Sequence, residues 1–139
     1  MTTPTKTVIN ILYTSRFIEK HIDLFRDRDL TMQQYNVLRI LRGQKGNPAN
    51  LSTLQERMID KSSNTTRLVD KLIQKELVKR QTCEKNRRKV EIFITTKGLE
   101  LLSVLDPMTE QANSEILSQL TNTELETLNT LLDKLRGND

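Results

Sequence analysis

"LSTLQERMIDKSSNTTRLVDKLIQKELVKRQTCEKNRRKVEIFITTKG", residues 51–98, is the stretch on which the fold turns. Ser52 and Gln55 stand at the spacing of a capping box, and Leu54 and Met58 recur at i, i+4, so the chain is expected to open here with a short helix. The pattern breaks at Ile59-Asp60-Lys61. A second helix is expected over "SSNTTRLVDKLIQKE", residues 62–76, because Leu68, Val69, Leu72 and Ile73 form one apolar stripe. Its other face carries Asn64, Arg67, Lys71 and Lys75. Two strand-like runs follow, "LVKRQT" (77–82) and "KVEIFIT" (89–95), the second alternating Val90, Ile92 and Ile94 with Lys89, Glu91 and Phe93. The polar tip "CEKNRR" joins them.

Short helix, sharp turn, helix and a hairpin with a basic tip make a winged helix-turn-helix. In that motif the second helix enters the major groove with its N-terminal residues nearest the bases, and the wing reaches the backbone or the neighbouring minor groove. This gives a role to seven consecutive residues, Lys61 to Arg67, that offer a core almost nothing. Ser62, Ser63, Asn64 and Thr66 are short enough to let the backbone approach a duplex and can hydrogen-bond to phosphates or bases. Arg67 is long enough to read a guanine through two bonds, and Asn64 has the groups to pair with an adenine. Lys71 continues the exposed face, and Lys85, Arg87 and Arg88 charge the wing with only Glu84 nearby. Ser52 is read as a cap, and Lys71, Lys75 and Lys79 as weaker contacts than the rest, since surface helices carry lysine routinely. The charge distribution agrees: residues 57–97 hold 12 basic and 5 acidic side chains, whereas residues 98–139 hold 2 and 8. Such clustering is the footprint of a polyanion-binding surface.

Outward from this centre the chain is helical. Residues 5–26 are expected to form a long helix, with Val8, Ile11, Ile18, Ile22 and Phe25 on a seam and Ile9, Leu12, Phe17 and Leu24 widening it. The next helix starts after Thr31, which forms a capping box with Gln34 and a staple from Leu30 to Tyr35, and ends at Gly43. "GQKGNPAN" is a loop. Past Thr96 a long helix to about residue 119 is expected to kink near Asp106, because Pro107 removes a backbone bond. A last helix runs from Thr121, boxed with Glu124, to Leu135, and repeats the seam with Leu125, Leu128, Leu132 and Leu135. The two seams can pack on each other, but flanking a compact basic centre they read as a dimer interface. The fold class is therefore mainly α with a small β-hairpin wing. Residues 1–139 are expected to make a single domain, with 30–98 the winged core and 1–29 and 99–139 the dimerisation helices.

Other classes of function find little support. There is one cysteine, Cys83, and one histidine, His21, so neither an intrachain disulfide nor a structural metal cluster is expected. No nucleophile–base set or glycine-rich phosphate loop is present, and no cofactor is implied. No apolar run of membrane-spanning length occurs, and the N-terminus lacks the features of a signal peptide, so a cytoplasmic protein with no membrane partner is expected.

Residues 51–98 also resemble a known family. The spacing of "L..RM.....S..TRLVDKL..K.LV.R" and the wing "NRRKVEIFITTKG" are similar to the winged core of the MarR (multiple antibiotic resistance regulator) transcription factors. Outside this block the likeness is one of layout. The resemblance implies a homodimeric DNA-binding regulator, a repressor of a pseudo-palindromic double-stranded operator, released by a small-molecule effector. It places Ser62, Ser63, Asn64, Thr66 and Arg67 on the recognition helix and Arg88 at the wing arginine that enters the minor groove. Asn86 stands where the family usually has an aspartate paired with that arginine, which removes a charge contact from the wing. The effector crevice would be lined by Tyr13, Arg16, Phe17 and Tyr35, and the dimer built by Val8, Ile11, Leu125, Leu128, Leu132 and Leu135. A branch of the family senses peroxides through a first-helix cysteine; here that helix has none, and Cys83 is read as inert. The competing reading is a winged-helix module that docks acidic protein segments without reading DNA sequence.

Overall fold

The helix starts in this chain are set by short polar side chains that accept a backbone N–H otherwise left without a partner. The computed structural model describes residues 1–21 and 25–137. In order it contains α1 (Thr3–His21), a 3₁₀ turn (Arg26–Arg28), α2 (Met32–Gly43), α3 (Leu51–Arg57), α4 (Thr65–Gln74), β1 (Val78–Thr82), β2 (Val90–Ile94), α5 (Thr96–Ile116) and α6 (Asn122–Arg136). Thr31 and Thr121 close the expected capping boxes with Gln34 and Glu124. The Glu124 carboxyl is held below its ordinary value because it accepts the Thr121 backbone N–H. At α3 the expectation fails: the cap is Asn50, whose side chain accepts from Thr53 N at 2.7 Å, while the Ser52 hydroxyl donates to Asn50 Oδ1. Asparagine at the residue before Leu51 outcompetes a serine one position inside the helix, which cannot reach the first free N–H groups.

The chain divides into two compact units, Met1–Ile22 with Thr109–Asp139, and Asp23–Met108. The second unit is the winged core, and it is larger than residues 30–98. Phe25 and Leu30 at its start and Leu102 and Leu105 of α5 join Val37, Leu38, Leu41, Leu54, Met58, Val69, Leu72 and Ile92 in one buried cluster. Phe25, expected on the α1 seam, instead sits with its ring 4.6 Å from that of Tyr35, and α1 ends at His21. The seam position Ile22, and Leu24 expected to widen the seam, lie outside the described residues.

β1 and β2 pair antiparallel from Val78↔Ile94 to Thr82↔Val90. Ile92 faces the core, and Lys79 lies across from Phe93 with its ammonium 5.3 Å from the ring centre. The loop before α3 adds a single bridge to this ribbon: Ala49 and Ile92 exchange N–H···O bonds of 3.0 and 2.8 Å. α4 ends in a Schellman motif in which Glu76 takes the left-handed conformation (φ 62°) and Leu77 N donates to Leu72 O. Thr95 then opens α5, accepting from Gly98 N and donating to Glu76 O. Gly98 packs so tightly under β1 that a Cβ there would lie 2.5 Å from the Leu77 carbonyl oxygen. α5 continues as one element through Pro107, and Asp106 just before it accepts from Arg42 at 2.5 Å and from the Tyr35 hydroxyl at 3.4 Å.

In the first unit, neither α1 nor α6 buries a residue. Val8, Ile11, Leu12, Leu128, Leu131 and Leu135 are exposed. Among the described residues no helix is long and apolar enough to cross a membrane.

Candidate nucleic-acid interface

The turn between α3 and α4 is held by hydrogen bonds from its own side chains. Asp60 accepts the Ser62 backbone N–H at 2.9 Å and the Ser62 hydroxyl at 2.5 Å, and its carbonyl accepts from Ser63 N. Gln55 spans the turn: its amide donates to Lys61 O at 2.8 Å and its oxygen accepts the hydroxyl of buried Thr65. The Lys61 ammonium donates to the Glu56 carbonyl. Asn64 is the N-cap of α4, accepting from Arg67 N at 3.1 Å.

These contacts correct part of the expected site. Ser62 and Ser63 precede the recognition helix instead of lying on it, because Asn64 caps it and Asp60 holds both serines in the turn. The Ser63 hydroxyl is covered and has no hydrogen-bond partner among the described residues. Asn64 gives its side-chain oxygen to the cap, so it cannot use both amide groups on an adenine without uncapping the helix. Lys75, expected on the outer face, turns inward to Gln34 and to the Asp29 carbonyl.

Thr66, Arg67 and Lys71 remain on the solvent face of α4. Asp70 beside them pairs with Arg80 of β1 at 3.4 Å. On the wing, Asn86 accepts the Arg88 backbone N–H at 3.1 Å, and Lys89 N donates back to Asn86 O. The asparagine thus shapes the tip through the main chain and leaves the arginine side chain out of that contact. Lys85, Arg87 and Arg88 are exposed. Among the described residues, Arg67, Lys71, Lys85, Arg87 and Arg88 carry no ion pair. Five unneutralised cations on one helix and one hairpin are suited to a polyanion.

The roles of Asn50 and Asp60 were missed in the sequence, and Gln55, expected to box with Ser52, reaches across the turn instead. Asn50 directly before Leu51 and Asp60 two residues before Ser62 were signals for a cap and an Asx turn. Nothing local marks Gln55 as reaching across the turn.

The residues expected to hold an effector are differently placed. Tyr35 is a core side chain whose hydroxyl donates to Asp106, whereas Tyr13, Arg16 and Phe17 are exposed on α1, Arg16 paired with Glu19. His21 sits against the Phe17 ring, with Nδ1 2.8 Å from the Phe17 carbonyl. Among the described residues no cluster of His, Cys, Asp or Glu could hold a metal.

Comparison with known proteins adds four findings. The MarR family profile matches residues 30–90, from the end of the 3₁₀ turn segment to the start of β2. A MarR transcription factor from Planctomyces limnophilus is similar over 96% of this chain and 96% of its own, with 29% identity and a TM-score of 0.70. The fold is shared with a MarR-like transcription regulator from Bacillus cereus ATCC 10987 (TM-score 0.82, 22% identity, 96% and 95% covered). It is shared too with BpsR of Bordetella bronchiseptica, whose DNA binding is regulated by 6-hydroxynicotinic acid (TM-score 0.76, 23% identity, 96% and 94% covered). With a winged core that carries five unpaired cations on α4 and the wing, the chain has the winged helix-turn-helix fold of MarR-type transcription regulators along almost its whole length, and its residues 30–90 match the MarR family.

Proposed function

We propose that the protein acts as a homodimeric repressor of a pseudo-palindromic operator, with the two copies of α4 in successive major grooves and the wings on the flanking backbone. The observation that carries this reading is the set of unpaired exposed cations Arg67, Lys71, Lys85, Arg87 and Arg88 on the two elements that a winged helix presents to DNA. Dimerisation is supported by α1 and α6, whose apolar residues Val8, Ile11, Leu128 and Leu135 are left exposed in the single chain, with Leu125 and Leu132 half-buried beside them. Burying such a surface stabilises association by about 25 cal/mol per Å² before the entropic cost of pairing. Within this reading Thr66 and Arg67 read bases, Arg88 enters the minor groove, and Ser62 supports the turn. Control by a small molecule is supported by the Bordetella relative, and Tyr13, Arg16 and Phe17 on α1 are the groups proposed to receive it.

Selection of bound duplexes from a random DNA pool tests the proposal. Two half-sites centred one helical turn apart are expected. Five phosphate contacts per subunit would make log K fall with log salt with a slope of roughly −9, and four a slope of roughly −7. A monomeric mass near 16.1 kDa together with no sequence preference would instead favour a module that docks acidic protein segments.

A further inference from the structure

We infer that Lys75 is a positioning residue for DNA reading: it ties the C-terminal end of α4 to the segment before α2 and does not touch the duplex. The inference rests on the reading of α4 as the DNA-facing helix.

Lys75 is the C-cap residue of α4, and its side chain is only 29% exposed, far less than a solvated surface lysine. Its ammonium donates to Gln34 Oε1 at 3.0 Å and to the Asp29 carbonyl, with the Asp29 carboxylate 3.8 Å away. Gln34 is itself 4% exposed, and the same amide oxygen accepts Thr31 N in the capping box of α2. One buried oxygen therefore joins the start of α2 to the end of α4. The main chain closes the node from the other side: Lys97 of α5 donates to the Lys75 carbonyl at 3.1 Å and lies 3.6 Å from the Glu76 carboxylate.

The other end of α4 is fastened as well, by Gln55 bonding to Lys61 O and Thr65. A helix of ten residues spans about 15 Å. Fixing both ends sets its tilt, and bidentate base contacts tolerate little tilt because both bonds must align. Lysine suits the task because an ammonium on a flexible stem can satisfy several carbonyl-type acceptors at once. Were Lys75 a phosphate ligand, it would have to abandon Gln34 and the Asp29 carbonyl, leaving the buried Gln34 oxygen with Thr31 N alone and giving up its charge-assisted bond.

The test uses the full-length dimer, the operator chosen by selection and a random duplex of equal length. Lys75→Met is expected to weaken operator binding about tenfold, the effect of losing one charge-assisted hydrogen bond, while random-duplex affinity and the salt slope stay unchanged. Gln34→Leu, which removes the acceptor and keeps the charge, is expected to lower the same specificity ratio, and the double variant to lose no more than either alone. If Lys75→Met fails to fold, Gln34→Leu carries the test alone. Equal loss on both duplexes with a slope shallower by about 0.9 per subunit would make Lys75 a phosphate contact and overturn the inference. A lower melting temperature with an unchanged specificity ratio would also overturn it. Arg67→Ala serves as the separate control: if it leaves the ratio unchanged, the reading of α4 itself fails, whatever Lys75 does.

Discussion

Replacing Gly98 by alanine sets two effects of opposite sign against each other. In a helix, glycine to alanine ordinarily stabilises by about 0.5 to 1 kcal/mol, because glycine loses more backbone freedom on folding. At Gly98 the new Cβ would sit 2.5 Å from the Leu77 carbonyl oxygen and 2.7 Å from Ile94 Cγ1. The side chain of Ile94 can yield a little, but the Leu77 carbonyl cannot move freely. It already accepts from Thr95 N at 3.0 Å, and Gly98 N is held by the Thr95 hydroxyl at 3.1 Å. Relieving the contact means shifting the start of α5 off β1 by most of an ångström, and overpacking of that kind costs about 1 to 3 kcal/mol. The net expectation for Gly98→Ala is a loss on the order of 1 to 2 kcal/mol. Gly43, at the end of α2, is the internal control: a Cβ there meets nothing within 4 Å, so Gly43→Ala should be neutral or gain about 0.5 kcal/mol. Urea unfolding of both variants at one fixed protein concentration measures the difference, since stability of a dimer depends on concentration. A Gly98 variant as stable as the parent, or more so, would refute the packing described under β1.

Glu76→Gly should stabilise by roughly 0.5 to 1 kcal/mol, because φ 62° suits glycine and the exposed pair with Lys97 contributes little; a calorimetric melt at matched concentration that shows a drop would contradict this. Arg67→Ala should relax specificity by about 1 to 3 kcal/mol at one base, whereas Arg88→Ala should weaken minor-groove and backbone binding across sequences, as read by competition with single-base operator variants. Leu128→Glu should shift the dimer toward monomer in sedimentation equilibrium, since it places a charge in the proposed apolar seam, and an undisturbed dimer would remove α6 from the interface. Glu124 has a folded value below its ordinary 4.5, chiefly from the Thr121 backbone bond, so its contribution to the α6 cap is present above 4.5 and is lost as pH falls through the lower folded value. Glu124→Gln should flatten the acid side of the helicity curve over that window, followed by circular dichroism.

Much of the architecture was legible because it is local. The stripe Leu68, Val69, Leu72 and Ile73, the alternation through Val90, Ile92 and Ile94, and the boxes at Thr31 and Thr121 each specify an element within a few residues, and those elements are present. Some expectations failed because a nearby polar group took the role first. Asn50 displaced Ser52 as a cap, and Asn64 with Asp60 moved Ser62 and Ser63 off the helix. Phe25 was misassigned because helical spacing continues past the place where α1 ends.

Sequence alone thus determined the order of elements and the concentration of positive charge over residues 57–97, both of which depend on residue type and short-range spacing. Only the tertiary structure decided which polar side chains are spoken for. Lys75 is drawn to Gln34 and Asp29 across more than forty residues of sequence, Gln55 to Thr65 across the turn, and Tyr35 to Asp106 of α5. Hydrogen bonds between distant segments leave no periodic trace, so a lysine bound inside the fold and a lysine free to meet DNA look alike until the chain has closed around one of them.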